Sequence, residues 1–539
     1  MKSVAPGKQA RNLEAPGRSI AYGILGMAAT SHPLATLAAV RVLESGGNAM
    51  DAAITACVVQ GVVEPGSTGI GGDCFALFAP GGTDRITAFN GSGRTPAALT
   101  FDAVAAPGLA LLPRHSPHTV TIPGAIDAWD QLLRAHGTRP LGDVLAPAIR
   151  LAADGYALTP RVHADWCTHA TFLATDPAAQ AVFLPGGSVP SLGGIHRQPG
   201  LARSLEQIAR DGRKAFYTGA IAEDLVTRLR SLGGLHTMAD FAAATGEFVT
   251  PIRGRFRDHD IIECPPNGQG VIALLMLHIL AGFAADADPI GADRVHLEVE
   301  AARLAYSVRD AVLADPAQAS VPVAQLLSEA FAAGLRAQIR PDRAIESLPS
   351  YQAPPHRDTV YIAVVDRERN AVSLINSIYS PYGSGIVGPA SGILLHNRGQ
   401  SFSLQAGHPN AIAPRKRPMH TIIPGMVARD GRVLMPFGIM GGQYQAMGHA
   451  VFLSRVLDYG LDLQTAMDLP RVFVLPGTRT VEAESTLPAA TADGLRRRGF
   501  EVVAAPIPIG GSQAIWIDHD AGTLIGGSDP RKDGCALGV

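Results

Sequence analysis

Thr359 stands where two kinds of sequence meet. Upstream, residues 318–358 carry Pro322, Pro341, Pro349, Pro354 and Pro355 with few helix or strand runs, the composition of an exposed connection. Downstream, TVYIAVVD is β-branched and aromatic, which marks a strand; a polar turn at 367–370 leads to a second strand over 371–379. Two readings of the junction are open. Thr359 is an ordinary strand N-terminus, or the chain is cut between Asp358 and Thr359 and the threonine becomes a new N-terminus. An N-terminal threonine joins nucleophile and base in one residue: its hydroxyl attacks, and its α-amine, less basic than a lysine amine, takes the proton.

Other motifs with chemical meaning fail on spacing or context. The loop Gly69-Ile70-Gly71-Gly72 needs a glycine at 74 to complete a dinucleotide fingerprint, and 74 is cysteine. The loop also lies between a predicted helix and a predicted strand, the reverse of the required order. No phosphate-binding GxxxxGK, no HExxH and no GxSxG is present. Five scattered cysteines without a CxxC pair argue against a disulfide framework or a structural zinc site.

The elements that must carry Thr359 follow from periodicity. Residues 31–63 read as two helices, interrupted by Gly46-Gly47, with Asn48 capping the second and Pro65-Gly66 after its end. A short strand over 74–78 follows the glycine loop. The middle third is mostly helical, clearest over 293–314. The C-terminal part alternates strands (421–429, 433–437), a helix over 445–457 and a closing hairpin, 513–517 with 523–526. With 539 residues, 47% of them hydrophobic, the chain forms a large core. A net charge of −2 disfavours binding nucleic acid through a basic surface. The longest apolar run, 271–283, contains His278 and is too short to span a bilayer. Residues 1–20 read as a flexible lead-in without an apolar signal core, so a cytoplasmic location is expected.

Several separate stretches bear on the open choice at Thr359: SHPLATLAAVRVLESGGNAMDAA, EPGSTGIGGDCFAL, DTVYIAVVDRERNAVSLINS, GSGIVGPASGILLHNRG, KRPMHTIIP, FGIMGGQ and GGSDPRKDG. In this order they resemble the gamma-glutamyltransferase (gamma-glutamyltranspeptidase) family of N-terminal-nucleophile hydrolases, over about residues 26–531. The resemblance implies an α+β fold, a four-layer αββα sandwich. It implies a proenzyme cut between Asp358 and Thr359 into a large fragment, 1–358, and a small one, 359–539, intertwined in one structural domain. Thr359 then matches the nucleophile, Ser377 a hydroxyl that hydrogen-bonds it, and Gly441 and Gly442 the pair whose N–H groups stabilise the oxyanion.

The substrate residues depart from the family pattern. Ser92 stands where the carboxylate-binding arginine is usual, with Arg94 two residues on. Ser401 replaces the aspartate that holds a glutamyl α-amine, Arg398 a glutamine, His420 and Thr421 two serines, and Tyr379 an asparagine. A buried ammonium needs a carboxylate partner. A pocket without that aspartate, with Arg398, with Arg94 if it reaches the site, and with His420 as a further donor, suits a small anion lacking an amine. The resemblance thus points to an amidohydrolase of the oxamate type. Gamma-glutamyl transfer or hydrolysis is the second reading, a cephalosporin-acylase-like activity on glutaryl amides the third, and an unprocessed binding protein the alternative from another class. Nothing in the sequence asks for a cofactor or metal. The expected partners are a small-molecule amide and the two fragments of the chain itself, with a homodimer of the processed heterodimer as an option.

Overall fold

A computed structural model describes residues 17–105, 108–349 and 359–539. The expected lead-in falls mostly outside the described residues, as does Asp358.

Alternation along the Thr359 strand builds the central layers. In Val360–Val365, the side chains of Val360, Ile362 and Val364 enter a core beneath helices, while Tyr361, Ala363 and Val365 enter a second core between two sheets. A strand buried on both faces reads as a continuous apolar run, as this one does. Each fully buried aliphatic side chain contributes about 1.5–3 kcal/mol relative to exposure.

The first sheet has seven strands in the order Cys535–Gly538, Met27–Thr30, Val360–Val365, Ala371–Ser377, Asp73–Ala79, Thr87–Gly91 and Glu247–Val249. The second runs Ala21–Gly23, Thr523–Ser528, Gly511–Asp518, Arg432–Met440, Gly425–Arg429, His259–Glu263 and Ile252–Phe256. All their pairings are antiparallel. Phe75, Leu77, Ile375, Met426, Ile515 and Leu524 fill the space between the sheets. The helices Pro33–Glu44, Ala49–Val63 and Ala125–His136 cover the outer face of the first sheet. Gly270–Ala281, Ala292–Val312 and Gln445–Leu457 cover that of the second. The result is the αββα order. Among the described residues no helix is long and apolar enough to cross a membrane.

Local signals set the helix boundaries that matter. Asn48 accepts from the N–H groups of Met50 and Asp51, and Asp51 returns a bond to the Asn48 N–H, a capping box that starts the second helix. Two expectations need correction. The connection 318–358 contains helices, Val323–Leu326 and Glu329–Arg336; Ser328 caps the latter through the Phe331 N–H, and Pro322 and Pro341 flank rather than interrupt them. The strand expected from 421 begins at Gly425, because His420 and Thr421 hydrogen-bond the loop before Gly270 instead.

Candidate active site

The register of the first sheet lays out one side of the site. Ser377 pairs with Asp73 across neighbouring strands, and Asn376 pairs with Val360, so Thr359 lies beside Ser377 at the same strand ends. Thr359, Ser377 and Asp73 are all fully buried.

Ser377 Oγ lies 3.2 Å from Thr359 Oγ1. The same Ser377 oxygen accepts from the Tyr379 N–H at 3.0 Å and from Arg398 Nη2 at 3.3 Å. A hydroxyl has two acceptor positions and one proton. With both acceptor positions taken, the Ser377 proton is directed at Thr359 Oγ1. Gln445 Nε2, at the start of the helix Gln445–Leu457, approaches that oxygen at 3.4 Å, while its Oε1 accepts from the Ile423 N–H.

Arg398 is fully buried in a one-turn 3-10 helix, Arg398–Ser401. Its Nη1 donates to Thr421 Oγ1 at 2.9 Å, and its guanidinium lies 4.3 Å from the Tyr379 ring centroid. Among the described residues it makes no ion pair, and Nε has no hydrogen-bond partner. Burial pulls its pKa down to about 10, which leaves it charged at neutral pH. Ser401 fixes the turn: its hydroxyl hydrogen-bonds the carbonyls of Arg398 and Met419. Tyr379 adopts φ +77°, a conformation costly for a bulky residue, which lays its ring along the guanidinium.

Behind this layer Asp73 gathers donors. Its Oδ1 accepts from the N–H groups of Gly93 and Gly124 at 3.0 and 3.3 Å, and its Oδ2 from His420 Nε2 at 3.1 Å. His396 Nδ1 stands 3.6 Å from Oδ2. Burial alone raises a carboxyl, but His396, the His420 hydrogen bond and the Arg398 charge outweigh it, and the Asp73 pKa falls to about 2. Burial and the charge of Arg398 hold His420 down at about 3. His420 is therefore a neutral imidazole whose N–H is spent on Asp73, which corrects its expected place as a further donor to substrate.

Gly441 and Gly442 follow directly on the strand Arg432–Met440, with φ of +119° and +58°. Arg94 does not join the cluster. It is about one-third exposed and pairs with Asp315 at 3.2 Å and Glu247 at 3.8 Å. With Ser92, Gly93 and Arg415 it lines a separate cavity of about 270 Å³ that Thr359 does not line. Ser92 Oγ accepts from Asn267 instead. The structure thus gathers Thr359, Ser377, Tyr379, Arg398 and Thr421, sets Ser401 and His420 one layer back, and leaves Arg94 outside. Asp73 and Gln445 escaped sequence reasoning. The signal for Asp73 was the one charge in STGIGGDCFALF, and for Gln445 its position three residues past Gly442. No cluster of three or more His, Cys, Asp or Glu among the described residues could hold a metal ion.

Comparison with known proteins decides the ancestry. The gamma-glutamyltranspeptidase family profile matches residues 35–539.

The chain belongs to the gamma-glutamyltranspeptidase family.

Within it, the chain is 37% identical to the glutathione hydrolase-like YwrD proenzyme of Bacillus subtilis, over 96% of this chain and 99% of the relative. It is 34% identical to the oxamate amidohydrolase proenzyme of Klebsiella pneumoniae, over 95% and 98% of the two chains. Among solved structures, cephalosporin acylase from Bacillus halodurans aligns with a TM-score of 0.92 at 38% identity, covering 99% of both chains. The protein is a hydrolase of this family, with the N-terminal-nucleophile fold, and its relatives are made as proenzymes.

Proposed function

We propose that the protein is a self-processing amidohydrolase that cleaves the amide of a small, carboxylate-bearing substrate of the oxamate type through an acyl-enzyme on Thr359. The observation that carries this reading is Arg398. Its guanidinium has five N–H donors, of which two are engaged, on Ser377 and Thr421. A buried guanidinium with donors to spare and no ion-pair partner among the described residues is costly, and a substrate carboxylate relieves that cost. The planar fork matches the shape of a carboxylate. Because Arg398 also touches Ser377, the anchored anion has room for only a short spacer before its amide meets Thr359 Oγ1.

The steps follow from the hydrogen-bond pattern. In processing, Thr359 Oγ1 attacks the carbonyl of Asp358 and the N–O acyl shift, followed by hydrolysis, frees the Thr359 amine. In turnover, that amine takes the hydroxyl proton as Oγ1 attacks the substrate amide carbon. Ser377 cannot be the base, since its proton already points at Oγ1; it stabilises negative charge developing there. The N–H groups of Gly441 and Gly442 receive the oxyanion. The amine then gives its proton to departing ammonia, leaving an ester on Thr359. Water attacks the ester and gives its proton to the amine, the amine passes that proton to the departing Thr359 Oγ1, and the dicarboxylate leaves.

A second reading, hydrolysis of gamma-glutamyl amides, draws on the similarity to the glutathione hydrolase-like relative. It needs an acceptor for the α-ammonium. Ser401, whose one proton goes to the turn carbonyls, is neutral and offers an ammonium no counter-charge, and Asp73 already holds three donors. The similarity to a cephalosporin acylase raises a glutaryl amide as a third, longer anion.

The test is direct competition of substrates on purified protein. Ammonia release from oxamate is expected to outpace p-nitroaniline release from a gamma-glutamyl anilide and cleavage of a glutaryl anilide. A far faster gamma-glutamyl reaction would refute the small-anion assignment. Ligand binding by an uncut chain that turns over no amide would refute the enzyme mechanism itself.

A further inference from the structure

Two glycines in succession let a backbone approach a reacting carbonyl, but they contribute no rigidity of their own. Something else must hold Gly441-Gly442 still. The carbonyl of Gly442 accepts from Gln269 Nε2 at 3.2 Å. The same amide nitrogen donates to the Thr421 carbonyl at 2.9 Å, and the Gln269 backbone N–H donates to the His420 carbonyl at 3.0 Å. Gln269 therefore ties the glycine turn to the segment whose Thr421 hydroxyl receives Arg398.

Gln269 is itself oriented. Arg309 Nη1 donates to Gln269 Oε1 at 3.2 Å and also to Gln443 Oε1. One turn earlier on the same helix, Tyr306 Oη donates to the Gln443 carbonyl at 2.6 Å. Arg309 Nε is anchored on Asp310 at 2.8 Å. All of Gln269, Tyr306 and Arg309 are buried. The guanidinium leaves Gln269 only one orientation, with Oε1 toward Arg309 and both amide protons toward the two carbonyls, since a flipped amide would set donor against donor.

We infer that Gln269, held by Arg309, is a positioning residue that locks the oxyanion turn and the anion clamp into one fixed geometry. This rests on the proposed reaction at Thr359. Gln269 touches neither substrate nor nucleophile; it acts through Gly442 and Thr421. A displacement of about 1 Å at such a turn costs on the order of 100-fold in rate.

Gln269→Glu is the informative variant. It keeps the side-chain shape and strengthens the link to Arg309, but sets carboxylate oxygen against the carbonyls of Gly442 and Thr421. Arg309→Lys is the milder companion; it keeps the charge but not the fork that orients Gln269. Each variant is compared with wild type on whichever of oxamate or a gamma-glutamyl anilide the wild type hydrolyses faster. Rates are divided by the amount of processed chain, measured by denaturing mass spectrometry. The expected result is a fall in kcat of about 10- to 100-fold for Gln269→Glu and about 3- to 10-fold for Arg309→Lys. KM is expected to move less than about threefold, as for a residue that acts through the turn. A merely structural role lowers the yield of processed chain or the Tm but leaves kcat per processed chain unchanged. Unchanged kcat in the variant that folds, or in both, overturns the inference and leaves the proposed function standing. Wild type that hydrolyses neither amide overturns both.

Discussion

In the proposed mechanism Arg398 holds the substrate and Ser377 stabilises the nucleophile Thr359, so their variants are expected to separate in kinetics. Arg398→Ala removes the clamp, and its KM for a small anionic amide is expected to rise about 100-fold, the worth of a buried charge-assisted pair. Arg398→Lys recovers little, because an ammonium cannot reach Thr421 and Ser377 while gripping a carboxylate with a planar fork. Ser377→Ala is expected to lower kcat by about 10- to 100-fold with little effect on KM, as loss of a hydroxyl aimed at developing charge should. Equal kinetic losses in both variants on steady-state assay would contradict that division. At this scale the residue types were legible: Ser401 and Arg398 stood out as departures from the family pattern, and Arg398 does lie buried against Ser377. The partners were not. Arg94 and Arg398 look alike in sequence, and only the fold places Asp315 and Glu247 against the first.

The elements that converge on the site do so at strand ends, where the backbone is free to leave the ladder. Gly441 sits at the end of its strand with φ +119°, and a Cβ there would lie 3.0 Å from the Gly510 Cα. Gly441→Ala is therefore expected to cost about 1–3 kcal/mol of stability, read as a lowered denaturation midpoint, together with a large loss of kcat. Wild-type stability in that variant would mean that the turn tolerates a side chain. A helix near 445–457 was legible, and β-branched runs revealed the strands flanking 367–370. Prolines misled at 318–358, where they punctuate short helices. The run before Gly425 misled because its hydrogen bonds go to Asn267 and Gln269, 151 or more positions away in the chain. No local pattern encodes that pairing.

Across the whole molecule, the sandwich unites residues from both ends of the chain and buries imidazoles with them. Burial holds His32, His196 and His236 at about 4, and His420 and His449 at about 3. In the unfolded chain histidine titrates near 6.5, so between about pH 6.5 and 4 the unfolded state binds protons that the native state refuses. Stability present above pH 6.5 is therefore lost as the pH falls through that window. Three buried glutamates with raised carboxyls, Glu263, Glu298 and Glu300, act in the opposite sense, but the five imidazoles are expected to set the sign. The Tm at pH 5 should lie roughly 5–10 °C below that at pH 7.5, and a flat or rising profile would contradict the assignment of neutral histidines. The central claim remains that Thr359 is both the point of processing and the nucleophile. Denaturing intact-mass measurement with N-terminal sequencing, on wild type and Thr359→Ala together, tests it most directly. The expected result is two chains for wild type, the smaller beginning at Thr359 and ending at Val539, and one full-length chain for Thr359→Ala. A wild-type protein that stays whole while hydrolysing its substrate, or a Thr359→Ala chain cut at the same bond, would contradict it.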